Sequence, residues 1–270
     1  MSFIIRKLGW KKQEKDSRDY KFEKLARVKS YKIVTPPPVG NNRRWCSQVQ
    51  DQGSLGSCTA NAWAGLLDYD ENKWPVAGRK YIDMSRLFIY YNERVLDGTV
   101  AEDSGANLRD GAAVINASGS CAETLWPYVE SKFTIQPTQT CYTAAESNVI
   151  HSYYALDGNT AAETLSNLKT TIANGQCFVF GFTVYDSFMT QTMADTGIMP
   201  MPNYQAEQQQ GGHAVMGIGY NDAEQRFLIR NSWGRNWGLK GINAGDFTMC
   251  YDFISDSNQA SDFWTIVKEI

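Results

Sequence analysis

The sequence predicts an α+β fold of two lobes, with helices first and strands later. Three observations carry that reading. Helical patterns fill residues 57–73, 85–98, 107–118 and 160–174, dense or alternating apolar runs take over from Gln176, and a proline-rich stretch sets both apart from a basic arm. A chain of 270 residues is long enough to bury a sizeable core. No stretch approaches 18 consecutive apolar residues, which excludes a membrane-spanning helix. Met1–Lys7 offers four apolar residues at most, too few for a secretory signal. The expected location is the cytoplasm, or outside the cell by a route that reads no such signal.

The arm comes first. Residues 1–45 hold thirteen Lys and Arg against four Asp and Glu, while the remainder holds thirteen against 25. A basic arm on an acidic body is expected to dock on that body. Tyr20, Phe22, Leu25 and Val28 interrupt its charges, unlike a simple polybasic tail that binds nucleic acid or lipid. Thr35-Pro36-Pro37-Pro38-Val39-Gly40-Asn41-Asn42 reads as a stiff linker ending in turn residues. The boundaries this suggests are an arm over 1–38 and a main domain over 39–270, with a helical lobe at about 45–150 and a β-rich lobe at about 151–270.

The helices follow in order. Gln52-Gly53-Ser54-Leu55-Gly56-Ser57 is a polar, glycine-bearing turn, and Ser57 is a favoured N-cap for a helix that Cys58 opens. Ala60, Trp63, Ala64 and Leu67 give that helix its apolar face. Ser85 is the expected cap of the second helix, and Gly119 closes the third. Thr160, with Glu163 in the first turn, starts the fourth. Strands are expected at Gln176–Tyr185, His213–Tyr220, Arg226–Asn231, Gly245–Tyr251 and Phe263–Val267.

Six cysteines stand far apart with no C-x-x-C pair, which argues against a structural zinc site. Cys121 and Cys141 are candidates for one bridge. Of the two histidines, His151 reads as a surface residue. Tyr90, Tyr91 and Trp126 read as core, and Arg43-Arg44 as solvated charge.

The chemistry concentrates in three ordered segments. Cys58 stands at a helix N-terminus, whose partial positive charge favours a thiolate. His213 follows Gly211-Gly212, and glycines let a substrate backbone pass close to an imidazole. Eighteen residues on, Asn231-Ser232-Trp233-Gly234 supplies an amide oxygen that can fix one histidine tautomer and an indole that can shield the bond. Each segment alone also has a plain structural reading: a buried thiol, a turn, a core tryptophan.

Together, Gln52…Gly56-Ser57-Cys58, Gly212-His213-Ala214-Val215 and Asn231-Ser232-Trp233-Gly234-x-x-Trp237-Gly238 resemble the papain-like cysteine peptidases over about residues 34–270. The Leu-Gly-Ser-Cys-Thr-Ala turn is similar to the bacterial, xylellain-like branch of that family. The resemblance implies a papain-like two-lobe fold: a helical N-terminal lobe carrying the nucleophile helix, a β-barrel-like C-terminal lobe, and a cleft between them. It implies Cys58 as nucleophile, His213 as base and acid, Asn231 as its orienter, Trp233 as shield and Gln52 as oxyanion donor, with a Cys58–His213 ion pair lowering the thiol pKa. It places Gly105, Ala106, Gly181, Gly212 and Ala214, with the Ser261-Asp262 region, along the substrate. No cofactor and no metal are implied.

The expected partners are a peptide or protein substrate and the chain's own N-terminal segment, lying in the cleft of a monomeric zymogen, with no nucleic acid and no membrane. Leu55 and Thr59 depart from the family, where a bridging cysteine and an aromatic residue are common. Two other readings share these residues: a Cys–His amidase or acyltransferase, and a catalytically silent peptide-binding scaffold.

Overall fold

The computed structural model describes residues 6–28, 31–32, 35–75 and 81–266. Helix α1 (Phe22–Leu25) belongs to the arm, and α2 (Cys58–Lys73), α3 (Arg86–Leu96), α4 (Leu108–Ser118) and α5 (Gln139–Ala145) follow. Then come α6 (Ala161–Ala173), the short α7 (Gln191–Thr196) and α8 (Tyr251–Ser255). Caps expected at two starts are made: Ser85 Oγ accepts from the Phe88 N–H at 3.1 Å and Thr160 Oγ1 from Glu163 at 3.1 Å. Ser57 departs from expectation. It sits at the cap position of α2, but its hydroxyl instead shares a 2.5 Å hydrogen bond with Tyr128 and accepts from the Asn61 amide.

Helix α2 is buried on nearly every face, from Cys58 to Asp70 with Gly65 the exception. Such a helix belongs in the middle of a protein rather than on its surface. It packs between α3 and the sheet, so its first residue opens where the helical and β-rich halves meet.

The strands are β1 (Val39–Asn41), β2 (Tyr153–Ala155), β3 (Phe178–Tyr185), β4 (Gln209–Asn221), β5 (Arg226–Arg230), β6 (Asp246–Cys250) and β7 (Ala260–Ile266). All pair antiparallel in the order β2-β7-β3-β4-β5-β6, with β1 on β4. The final residue of the last expected strand, Val267, lies outside the described residues. The sheet is open, which corrects the expected barrel-like lobe. Its ends do not meet because each is covered separately: Thr248 of β6 bonds the Gly197 and Met199 backbone, and Ala155 of β2 donates to Tyr20 of the arm. The stretch Val39–Asn41, read as the end of a linker, is a strand instead. Strand β4 outruns β3, and the free edge at Gly219–Asn221 pairs with it.

Part of the arm is built into the core. Leu25 is completely buried, Phe22 and Val28 pack beside it, and the Tyr31 hydroxyl meets Thr171 Oγ1 at 3.0 Å. All six cysteines are free, so the expected Cys121–Cys141 bridge is not formed. Both thiols instead act as small apolar groups in a satellite cluster with Leu55, Leu87 and Phe88. Arg43 is not mere solvated charge. It bonds the buried Asp246 at 2.7 Å, and Asp246 also holds Arg230 at 2.5 Å.

Candidate active site

Cys58, the first residue of α2, is completely buried. His213 stands on β4 opposite Phe182 of β3. Its Nε2 lies 2.8 Å from Asn231 Oδ1, an acceptor, so Nε2 carries the proton and Nδ1 is left as a base. The Ser232 N–H also donates to Asn231 Oδ1 at 2.8 Å and fixes that amide. Trp233 covers the contact, with its ring 4.9 Å from the imidazole and 3% of its surface exposed.

The Gln52 turn is sewn to the same loop. Its N–H donates to the Ser232 carbonyl at 2.8 Å, and its side-chain oxygen accepts from Ser232 Oγ at 2.7 Å. With the amide oriented, Nε2 donates to Leu55 O at 2.9 Å and to the carbonyl of Lys7, in the arm, at 3.0 Å. A donor aimed at a peptide carbonyl is the arrangement an oxyanion needs.

The arm runs through the cleft. Ala106 N donates to Gly9 O at 2.9 Å and Lys11 N to Ala106 O at 2.9 Å, a parallel bridge centred on Trp10 and Ala106. Trp10 N also donates to Gly212 O at 3.0 Å. The Trp10 indole lies against Gly181 and Gly212, and a Cβ at either position would overlap it. Gly105, at φ +72°, passes so close to Gly9 that a side chain there would strike Gly9's carbonyl. Ala214 is buried and borders a cavity of about 20 Å³ beside α2.

Residues 39–244 match the family model described as papain family cysteine protease. The chain belongs to the papain family of cysteine peptidases. It is 38% identical, over its whole length and 89% of the relative's, to an uncharacterized peptidase C1-like protein of Acanthamoeba polyphaga mimivirus. Among solved structures it is similar to xylellain, a cysteine protease from Xylella fastidiosa. The TM-score is 0.83 at 34% identity, covering 97% of this chain and 96% of that one. Digestive procathepsin L 3 of Tenebrio molitor larval midgut shares the fold, with a TM-score of 0.65 at 17% identity over 91% and 78% of the two chains.

In this peptidase the buried Nδ1 of His213 has no hydrogen-bond partner among the described residues. Burial pushes the Cys58 thiol up to about 11, although N–H groups of Ala214, Gly9 and Thr59 favour the anion. Burial lowers His213 to about 4, opposed by its bond to Asn231. Both shifts favour the neutral forms. The arm contributes to that burial, since Gly9 lies against Gly56 and the sulfur.

Ser232 and Asp103 were harder to find in the sequence, whereas Asp262 lies in the region the resemblance places along the substrate. Ser232 lies inside the Asn-Ser-Trp-Gly motif, but nothing local ties it to Gln52, 180 residues away. Asp103 bonds Lys7 at 2.7 Å and accepts from the Gly56 N–H at 3.0 Å, and precedes Gly105 by only two residues. Asp262 accepts from Trp10 Nε1 at 3.1 Å and from the Gln13 N–H at 3.0 Å. Its φ of +60° is unusual for a residue with a side chain. Thr59, the departure beside the cysteine, donates to the buried Glu93 carboxyl at 2.8 Å.

Proposed function

We propose that this chain hydrolyses peptide bonds through Cys58 and that residues 6–13 hold it inactive until they leave the cleft. The observation that carries the reading is the His213–Asn231 bond of 2.8 Å beside a Gln52 amide already bonded to a peptide carbonyl. With the cleft open to water, the Cys58 proton passes to His213 Nδ1. The sulfur then attacks the substrate carbonyl. Gln52 Nε2 and the Cys58 N–H receive the oxyanion. Collapse breaks the C–N bond, and His213 gives its proton to the leaving amine. A water molecule, deprotonated by the same imidazole, then releases the acid from the thioester.

The N–H and carbonyl of Ala106 and the carbonyl of Gly212, which the arm uses now, are the groups available to an extended peptide. This favours a peptide substrate over the small amides of an amidase or acyltransferase. A substrate side chain entering the space of Trp10 meets Gly181 and Asp262, a site suited to an aromatic or basic group with an N–H to donate. The arm's charges find partners on the body: Arg6 on Asp51, Lys7 on Asp103 and Lys11 on Asp97, at 2.7–3.0 Å. Those pairs support an arm docked on its own body. Among the described residues no helix is long and apolar enough to cross a membrane. We read the protein as a monomer.

The test is covalent labelling with a papain-class epoxide, followed by peptide mapping and a peptide-library digest. Label on Cys58 and cleaved peptides, both absent in Cys58→Ala, are expected once the arm is displaced. A displaced arm with neither label nor cleavage would leave only the scaffold reading.

A further inference from the structure

The arm is two devices joined by an exposed loop. Residues 6–13 occupy the cleft, whereas residues 20–28 and 31–32 are part of the domain. Tyr20 O receives the Ala155 N–H at 2.7 Å, Leu25 is completely buried, and Lys32 exchanges two hydrogen bonds with Asn174 at 2.8 and 2.6 Å. Between them Arg109 gathers the two ends of a short loop. It donates to Glu14 O at 2.9 Å and pairs with Asp19 at 2.6 Å. The chain between these two holds projects outward: Lys15, Ser17 and Arg18 are exposed, and 88% of the Arg18 side chain is open to solvent.

We propose that Lys15–Arg18 is the proteolytic processing site of this zymogen, and that residues 19–38 stay in the mature enzyme as structure. The inference rests on the peptidase reading above and adds where the chain is cut and what remains. A peptidase needs several residues that can be drawn into an extended form, and Lys15–Arg18 can be drawn out without unpacking the core. A cut near residue 38 would have to strip Leu25 and Tyr31 from the interior. The reaction is hydrolysis: water adds across one C–N bond, leaving a carboxylate on the plug and an ammonium on the retained chain. A second copy with an empty cleft supplies the catalyst. Once cut, the plug is no longer tethered at high effective concentration, and its exposed ion pairs hold it weakly.

The experiment uses full-length chain. A catalytically dead Cys58→Ala chain is incubated with a trace of trypsin-nicked wild type, and the products are weighed intact. Wild type treated alike is labelled with the epoxide. The expected dominant product, and the expected labelled species, begins between Asp16 and Asp19 and retains Leu25 and Tyr31. A product or labelled species beginning between Pro36 and Arg43 would overturn the inference. In Lys15→Gln/Arg18→Gln chains, tryptic activation should slow about tenfold or more, because both basic residues of the loop between Glu14 and Asp19 are gone. Unslowed activation would also overturn it.

If cut chains begin at 16–19 but Cys58 takes no label, the peptidase reading fails instead. Thermal melting then still tests the retained half. Leu25→Ala in the intact chain should lower the melting temperature by about 4 °C or more, and a value equal to wild type would contradict a structural role for residues 19–38.

Discussion

The Ser232 hydroxyl donates to the side-chain oxygen of Gln52 at 2.7 Å, tying the loop after β5 to the turn before the nucleophile helix. That bond, with the one from Nε2 to Leu55 O, sets which end of the Gln52 amide faces Lys7 and, by our reading, a substrate carbonyl. Ser232→Ala removes the tie without touching Gln52 itself. A buried hydrogen bond of this kind contributes about 1 kcal/mol, so kcat should fall roughly fivefold with KM little changed. Gln52→Ala, which removes the donor, should cost about 10²–10³. Steady-state kinetics on the activated enzyme checks both, and equal losses would mean that Ser232 does more than orient Gln52.

Gly9 is the arm's tightest point. A Cβ there would overlap the Gly56 carbonyl, and no flexible side chain is available to yield. Gly9→Ala should therefore lift the plug while leaving every body residue unchanged. The rate of Cys58 labelling in the uncut chain should rise about tenfold or more, the equivalent of about 1.4 kcal/mol of lost docking.

Trp10→Ala should act in the same direction through a different cause. It removes an indole that is 8% exposed, together with its bond to Asp262. Burial of a side chain this large is worth about 2–3 kcal/mol, so labelling should accelerate by about 30-fold or more. A variant labelled no faster than wild type would show that the indole is not part of the lock.

Stability should fall as pH rises through the range where two buried carboxyls ionise. Burial raises Asp262 to about 7 and Asp157 to about 6, well above the ordinary carboxylate range. Both therefore bind protons more tightly in the folded chain than in the unfolded one. Their contribution is complete below about pH 4 and is lost as pH rises through 6 and 7. Asp262→Asn should flatten the decline in melting temperature between pH 5 and 8. Each kcal/mol recovered near pH 8 corresponds to about 2–4 °C. An unchanged slope would place the effect elsewhere.

The sequence made the site more legible than the fold around it. Cys58, His213 and Asn231 are recognisable because their chemistry demands particular residue types in a fixed order. Helix starts at Ser85 and Thr160 were legible because a cap is a local bond. Ser57 was misread as a cap because its hydroxyl partner, Tyr128, lies 71 residues away. Val39–Asn41 looked like a turn, and only the overhang of β4 makes it a strand. The open sheet was hidden for the same reason, since Gly197–Met199 and Tyr20 cover its ends from distant parts of the chain. The upward push on the Cys58 thiol and the downward push on His213 follow from burial, which residue order does not express.

The central claim is that Cys58 is a competent nucleophile silenced by residues 6–13. The most direct measurement is the second-order rate of epoxide labelling at Cys58 at pH 7, compared between intact wild type and intact Gly9→Ala, with Cys58→Ala as the blank. The account predicts slow labelling of wild type, labelling about tenfold faster or more in Gly9→Ala, peptide hydrolysis that rises in step, and neither signal in the blank. Equal labelling of the two intact chains, or hydrolysis that survives Cys58→Ala, would contradict it.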